Sequence, residues 1–208
     1  MRSEQAVAVG LLLGCAWRVA GAVDLTVNVT DSSGRPLQDT VVYVEPLGQP
    51  MPADTRVPRV TIDQVNKRFV PAVTVIRTGT EVSFPNSDNF RHSIYSFSPA
   101  KVFTTKLYSG RQAPPVVFDK PGLVVLGCNI HDTMAAWILV VDTPFFTKSR
   151  ADGVAVVKDL GPGEYRLSAW YPAPTFNPVV SQIHIEGQSF TRQVQIDVAA
   201  ASLQPARP

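Results

Sequence analysis

Cysteine, histidine and methionine are scarce in this sequence of 208 residues, which contains two cysteines, three histidines and three methionines. Neither sign of charge dominates, because the chain has 19 lysines and arginines and 17 aspartates and glutamates. The chain lacks the excess of basic residues that is typical of nucleic-acid-binding proteins, and we predict no nucleic-acid partner. The apolar fraction of 45% is ordinary for a globular protein with one large or two small cores.

Long apolar runs are also missing. The run at residues 6–17 is shorter than the roughly 18 residues that a membrane-spanning helix needs, and no later segment reaches that length. Arg2 precedes this run and Ala20-Gly21-Ala22 follows it, an order typical of a secretory signal peptide covering residues 1–22. We therefore expect a periplasmic or secreted protein without a transmembrane segment. A lipid anchor on Cys15 is the alternative.

Removal of such a signal leaves Cys128 as the one cysteine of the mature chain. An intramolecular disulfide is then excluded. A lone thiol in an oxidising compartment calls for a functional explanation.

Short segments of β-forming residues follow one another along the chain, and no apolar period of 3.6 residues persists over a helical length. Residues 25–29 and 40–44 flank a turn and predict an opening hairpin. A second series of strands is predicted between residues 60 and 141, and residues 181–185 and 191–198 predict a closing pair. The predicted fold class is all-β, as a Greek-key sandwich or barrel.

The residues with metal-binding chemistry lie in two segments. Residues 127–134 read Gly-Cys-Asn-Ile-His-Asp-Thr-Met, so Cys128, His131 and Met134 are spaced three apart between two apolar β runs, and His92 lies upstream at the entrance of a strand. Two imidazoles, a thiolate and a weak axial thioether are the ligands of a type 1 copper site. We predict one copper ion on these four residues. The axial position can also be taken by a glutamine or a backbone oxygen.

A plainer interpretation treats the same four residues separately. Cys128 and Met134 would then fill the core, and the two histidines would be surface residues. Four of the few cysteine, histidine and methionine residues of the chain fall in this one pattern, which favours the copper site.

This segment resembles the cupredoxin family, over residues 57–142, and its Cys-x-x-His-x-x-Met spacing is similar to the short ligand loop of amicyanin. It also resembles the cupredoxin-type methylamine utilisation proteins. The resemblance implies that His92 is the upstream ligand, Cys128 the thiolate, His131 the more exposed histidine through which electrons pass, and Met134 the axial group.

The resemblance also implies residues that support the ligands. Cupredoxins often carry an asparagine directly after the first histidine, whereas this chain has Ser93. We expect Ser93 or Asn86 to take over that supporting role, together with Asn129 beside the thiolate.

The outer parts of the chain, around residues 27–44 and 151–167, are similar to carboxypeptidase-regulatory-like β-sandwich domains. This similarity predicts a discontinuous domain of residues 23–47 and 143–200, with the cupredoxin domain inserted between them and residues 201–208 as a flexible tail. The alternative is that the outer strands extend the cupredoxin sheets. His184, between two isoleucines, is predicted on the surface of this outer domain.

The resemblance implies one-electron transfer between redox proteins, with a dehydrogenase or a cytochrome as the kind of partner. We do not expect an enzyme, because a copper oxidase or reductase needs a second copper and only His184 remains for it. Two alternatives stay open: a protein that binds or delivers copper without cycling it, and a β-sandwich binding module without redox function.

Overall fold

The computed structural model describes residues 21–51, 57–109, 113–173 and 177–198. The predicted signal peptide up to residue 20, the alternative lipid anchor and the predicted tail lie outside these ranges. Every regular element within them is a β-strand, which confirms the predicted all-β fold class. Over the same ranges there is no helix long and apolar enough to cross a membrane.

The described residues form seventeen strands. In chain order these are β1 (Val23–Asp31), β2 (Val41–Pro46), β3 (Arg59–Thr61), β4 (Asp63–Gln64), β5 (Phe69–Val70), β6 (Val73–Arg77), β7 (Thr80–Ser83), β8 (Ile94–Ser98), β9 (Lys101–Thr104), β10 (Val116–Phe118), β11 (Gly122–Cys128), β12 (Ala135–Val141), β13 (Phe146–Lys148), β14 (Val154–Leu160), β15 (Gly163–Trp170), β16 (Val179–Ile185) and β17 (Phe190–Ile196).

Strands from the two ends of the chain form two sheets. In one sheet, β1 lies between β14 and β17, antiparallel to β14 and parallel to β17. The other has the order β13-β2-β15-β16 and is antiparallel throughout. Leu25, Val27 and Val29 alternate with polar residues along β1 and are fully buried, in one apolar cluster with Val44 and Leu167 of the second sheet. Alternation therefore gives each sheet one face in a shared core.

The predicted opening hairpin and closing pair are wrong. β1 and β2 lie in different sheets, as do β16 and β17, and β17 pairs with β1 instead. After β1 the carboxylate of Asp31 accepts hydrogen bonds from the backbone N–H groups of Ser33 and Arg35, at 2.8 and 2.9 Å, and the chain then crosses to the second sheet. Alternating hydropathy shows that a strand has one buried face, but it does not identify the partner strand.

Residues 57–142 form the remaining sheets. A five-stranded sheet has the order β6-β12-β11-β8-β9, a three-stranded sheet has the order β10-β7-β3, and β4 pairs with β5. Phe84, Phe118, Leu126 and Ile138 are fully buried in the apolar cluster of this part of the chain. β11 and β12 are antiparallel neighbours, so the turn between them, with the predicted ligands, stands at one end of the five-stranded sheet.

A third apolar cluster joins the two parts of the chain. Val41 and Tyr43 of β2 contribute to it from the outer strands, and Leu139 and Val141 of β12 from the five-stranded sheet. β12 contributes to the apolar clusters on both of its faces, and all seven of its residues are apolar.

Candidate metal centre

His92, Cys128 and His131 meet at the end of the five-stranded sheet. One nitrogen from each histidine and the sulfur of the cysteine all lie within 4.8 Å of one another. His92 and Cys128 are buried, and His131 is partly exposed. Across the described ranges, this is the one group of three or more histidine, cysteine, aspartate or glutamate side chains with such convergence.

Strand register explains why residues far apart in sequence meet here. Cys128 is the last residue of β11 and pairs with Ile94, the first residue of β8. His92 precedes Ile94 by two residues, so its side chain reaches the end of β11. His131 comes back toward the same point from the turn that follows Cys128.

The spacing of the donor atoms fits a shared ion. Sγ of Cys128 lies 3.6 Å from Nδ1 of His92. Metal bonds of about 2.3 Å to sulfur and about 2.0 Å to nitrogen, meeting at about 110°, place the two donors about 3.5 Å apart. The rings of His92 and His131 are tilted against each other at a centroid distance of 5.0 Å, so both can face one centre.

Nδ1 of His131 adds independent support for a bound ion. This nitrogen is buried and has no hydrogen-bond partner among the described residues. An unsatisfied buried polar atom costs about 1–3 kcal/mol, and a metal that accepts its lone pair would remove that cost. Two imidazoles and a thiolate are donors that copper prefers, so the residues fit this metal.

Met134 lies at the end of the same turn. Its side chain is 2% exposed and belongs to the apolar cluster beneath the site. Its backbone N–H donates to the carbonyl of His131 at 3.0 Å, which closes the turn. Its role as the axial ligand stays a prediction.

Ser93 and Asn129 tie together the segments that carry His92 and Cys128. The backbone N–H and the Nδ2 of Asn129 donate to the carbonyl and the Oγ of Ser93, each at 3.0 Å. Ser93 Oγ in turn donates to the carbonyl of Thr105 at 2.9 Å. The structure thus brings Ser93 and Asn129 into contact with each other beside the predicted ligands.

Asn86 holds the loop that leads to His92. Its Nδ2 donates to the carbonyls of Phe90 and Tyr108, at 2.8 and 3.0 Å. His92 and Tyr108 also exchange backbone hydrogen bonds at 3.0 and 2.9 Å. The Tyr108 hydroxyl donates to the carbonyl of Phe84 at 2.8 Å, and burial raises the pKa of this phenol to about 12.

Asp88 contacts the predicted ligand His92 and is missing from the site predicted from the sequence. Its Oδ2 lies 2.9 Å from Nε2 of His92, and its carboxylate also accepts the backbone N–H groups of Asn66 and Lys67, at 2.6 and 2.9 Å. Burial acts to raise the pKa of this carboxyl, but the hydrogen bonds from Lys67, His92 and Asn66 outweigh it and lower the pKa. The one sequence signal was an acidic residue four positions before the predicted histidine.

His184 lies outside this cluster, on β16, with its side chain 53% exposed, in agreement with its predicted surface position. Its Nδ1 is paired with the carboxylate of Glu164 on the neighbouring strand at 2.5 Å.

No protein-family model and no curated protein matches the chain. Among solved structures, it is similar to a copper-containing nitrite reductase from Thermus scotoductus at 30% identity, over 47% of this chain and 25% of that one, with a TM-score of 0.38. It is similar to a purple cupredoxin from Nitrosopumilus maritimus at 21% identity, over 39% and 99% of the chains, with a TM-score of 0.36. A mutant of amicyanin in its oxidised state matches at 15% identity, over 39% and 81% of the chains, with a TM-score of 0.37.

The part of the chain between residues 57 and 142 has a cupredoxin-like fold. This class follows from its own features: a five-stranded and a three-stranded sheet that share one apolar core, and a histidine–cysteine–histidine cluster at one end of the larger sheet.

Proposed function

We propose that this protein is an exported type 1 copper protein that carries single electrons between redox partners and is not itself an enzyme. The observation that supports it is the convergence of two imidazole nitrogens and one thiol sulfur within 4.8 Å at a buried site. His92, Cys128 and His131 would hold one copper ion, and Met134 would be its axial ligand. Copper bound there would supply a couple between Cu(II) and Cu(I).

The protein's contribution to electron transfer is a site that changes little between the two oxidation states. Cys128 and His92 are buried; Cys128 ends β11, and His92 lies two residues before Ile94, the residue of β8 that pairs with Cys128. The hydrogen bonds from Asn129 to Ser93 limit the movement of the two segments relative to each other. A ligand set that is held in this way favours a trigonal geometry that suits both oxidation states.

The surface beside the site would receive a redox partner, of the kind of a dehydrogenase or a cytochrome. Ile130, next to His131, is 52% exposed, and Phe90 and Leu107 in the neighbouring loops are 51% and 47% exposed. Exposed apolar side chains around a partly exposed ligand are typical of a protein–protein contact. Electrons would then pass through His131.

The proposed function is tested by the visible and electron paramagnetic resonance spectra of the chain without residues 1–22, titrated with Cu(II). We expect an intense thiolate-to-copper band and narrow copper hyperfine splitting at one equivalent of copper. Cys128→Ala should abolish both signals. His184→Ala is the matched control, because it removes a histidine outside the cluster, and it should leave both unchanged.

The outcomes separate the competing functions. A protein that stays colourless contradicts the proposal and favours a binding module without redox function. A coloured protein without a reversible voltammetric couple favours copper binding or delivery. A coloured protein with a reversible couple supports electron transfer.

Export and domain organisation are further parts of the proposal. We infer cleavage after Ala22, and expression with the full N-terminus followed by N-terminal sequencing of the exported protein tests it. We also infer that residues 23–47 and 143–200 form one sandwich interrupted by the copper-binding part. The pairing of β1 with β14 and β17, and of β2 with β13 and β15, supports this division.

A further inference from the structure

The buried histidine of the site has a carboxylate on the side away from the cysteine. Nδ1 of His92 faces Cys128 Sγ at 3.6 Å, and its Nε2 lies 2.9 Å from Oδ2 of Asp88. The side chains of His92 and Asp88 are 0% and 7% exposed. Water therefore has little access to either partner of this hydrogen bond.

This arrangement selects one tautomer of the imidazole. An ionised carboxylate only accepts hydrogen bonds, so Nε2 of His92 must carry the proton and donate it to Asp88. In the neutral imidazole, Nδ1 then keeps its lone pair on the side that faces the cysteine. Histidines that bind metals commonly have such a partner on the other nitrogen, which fixes the ring and raises the basicity of the donor.

Asp88 is itself held in place. The backbone N–H groups of Asn66 and Lys67, in the turn between β4 and β5, donate to its two carboxylate oxygens. Both of these turn residues have positive φ, 52° and 57°, which directs successive N–H groups to one side. The carboxylate thus has three donors and a fixed orientation against the imidazole.

We propose that Asp88 is a positioning residue that fixes the Nε2-protonated tautomer of His92 and lowers the reduction potential of the copper held by that histidine. The inference rests on the proposed function. A carboxylate that accepts the Nε2 proton makes Nδ1 a stronger donor, and a stronger donor stabilises Cu(II) more than Cu(I). Loss of the carboxylate therefore weakens Cu(II) binding more than Cu(I) binding and raises the potential.

Asp63 provides a matched control. Its carboxylate holds the same loop, because it accepts hydrogen bonds from the hydroxyl and the backbone N–H of Ser87, at 2.7 and 3.3 Å. No hydrogen bond between Asp63 and a proposed ligand is present in the described structure. Asp63→Asn and Asp88→Asn are therefore similar changes to one loop, and only Asp88→Asn removes the charge that faces His92.

The experiment compares the wild type, Asp88→Asn, Asp88→Glu and Asp63→Asn, each without residues 1–22. Voltammetry gives the reduction potential, and competition titrations give the dissociation constants for Cu(II) and Cu(I).

In Asp88→Asn we expect the Cu(II) dissociation constant to rise about 10–100-fold. Each tenfold loss relative to Cu(I) raises the potential by about 59 mV for a one-electron couple. Asp63→Asn should leave the potential unchanged, and Asp88→Glu should fall between the wild type and Asp88→Asn.

A second measurement needs neither copper nor a variant. Long-range proton–nitrogen correlation spectra of the wild-type apoprotein identify which ring nitrogen of His92 is protonated. We expect Nε2–H. A protonated Nδ1 with a bare Nε2 would overturn the inference, even if no Asp88 variant folds.

Failure of the inference can be distinguished from failure of the proposed function. A wild-type protein that gives the thiolate-to-copper band, with equal potentials in Asp88→Asn and Asp63→Asn, overturns the role of Asp88 and leaves the copper protein intact. A wild type without that band overturns the proposed function, and the tautomer measurement then decides whether Asp88 still positions His92.

Discussion

Asn129 donates two hydrogen bonds to Ser93, one from its backbone N–H to the Ser93 carbonyl and one from its Nδ2 to the Ser93 hydroxyl, both at 3.0 Å. These bonds connect the residue that follows Cys128 to the residue that follows His92. Protein contacts therefore set the distance between the thiol and the buried imidazole.

Asn129→Ala removes the side-chain bond of this pair. We expect the dissociation constant for Cu(II) to rise about tenfold, because partners that orient metal ligands commonly contribute a factor of about 10–100 to affinity. The free energy of unfolding of the apoprotein should fall by about 1 kcal/mol. Asn28→Ala, on β1 of the outer strands, is the control, and an equal loss of copper affinity in both variants would contradict the role of Asn129.

Met134→Leu tests the axial ligand. Leucine has a similar volume, so the apoprotein should lose less than about 1.5 kcal/mol of stability. If the thioether is a ligand, the variant keeps the thiolate-to-copper band and its reduction potential rises, because loss of the axial donor leaves three ligands, a coordination number that suits Cu(I) better than Cu(II). An unchanged potential in Met134→Leu would show that Met134 only fills the core.

Two glycines with similar backbone conformations differ in their surroundings. Gly34 and Gly153 have φ of 84° and 78°, but a Cβ at Gly34 would meet nothing within 4 Å, whereas one at Gly153 would lie 2.5 Å from the carbonyl oxygen of Val29. Gly34→Ala should cost about 1–2 kcal/mol for the left-handed conformation alone. Gly153→Ala should cost about 1–3 kcal/mol more, because the backbone of β1 must shift. Urea unfolding of both variants measures the difference, and equal losses would contradict the close approach.

The turn after β1 predicts a pH dependence of stability. The hydrogen bond from the Ser33 hydroxyl lowers the pKa of Asp31 far below its ordinary value of 3.8, burial opposes this, and hydrogen bonds from Arg35 and the Ser33 N–H lower it further. Because the pKa is lowered on folding, the ionised carboxylate contributes stability above pH 3.8, and this contribution is lost as the pH falls toward the folded-state pKa.

Asp31→Asn should therefore be less stable than the wild type at pH 7, and the difference should shrink below about pH 4. Urea unfolding at pH 7, 4 and 2.5 measures it. A difference that stays constant with pH would mean that the charge of Asp31 does not stabilise the turn.

The local parts of the site could be predicted from the sequence, and the parts made by distant strands could not. Cys128, His131 and Met134 lie in one turn, so their spacing is sufficient to group them. His92 could be proposed as the second histidine of the site because the chain contains three histidines, which leaves few candidates for this position. Asp88 was missed because its role depends on a turn at residues 66–67, and its position four residues before His92 does not by itself indicate a contact.

The fold shows the same division between local and long-range information. The alternation of residues in β1 and β17 predicted strands with one buried face, and both strands are present. Their parallel pairing depends on a contact between the two ends of the described chain, which alternation does not encode. This is why the strands were predicted correctly while the two hairpins were wrong.

The most direct test of the central claim is the crystal structure of the protein loaded with one equivalent of Cu(II), with anomalous differences measured on both sides of the copper absorption edge. We expect a single copper peak bounded by Nδ1 of His92, Sγ of Cys128 and Nδ1 of His131. A copper peak elsewhere, such as beside His184 and Glu164, with no density between these three atoms, would contradict it.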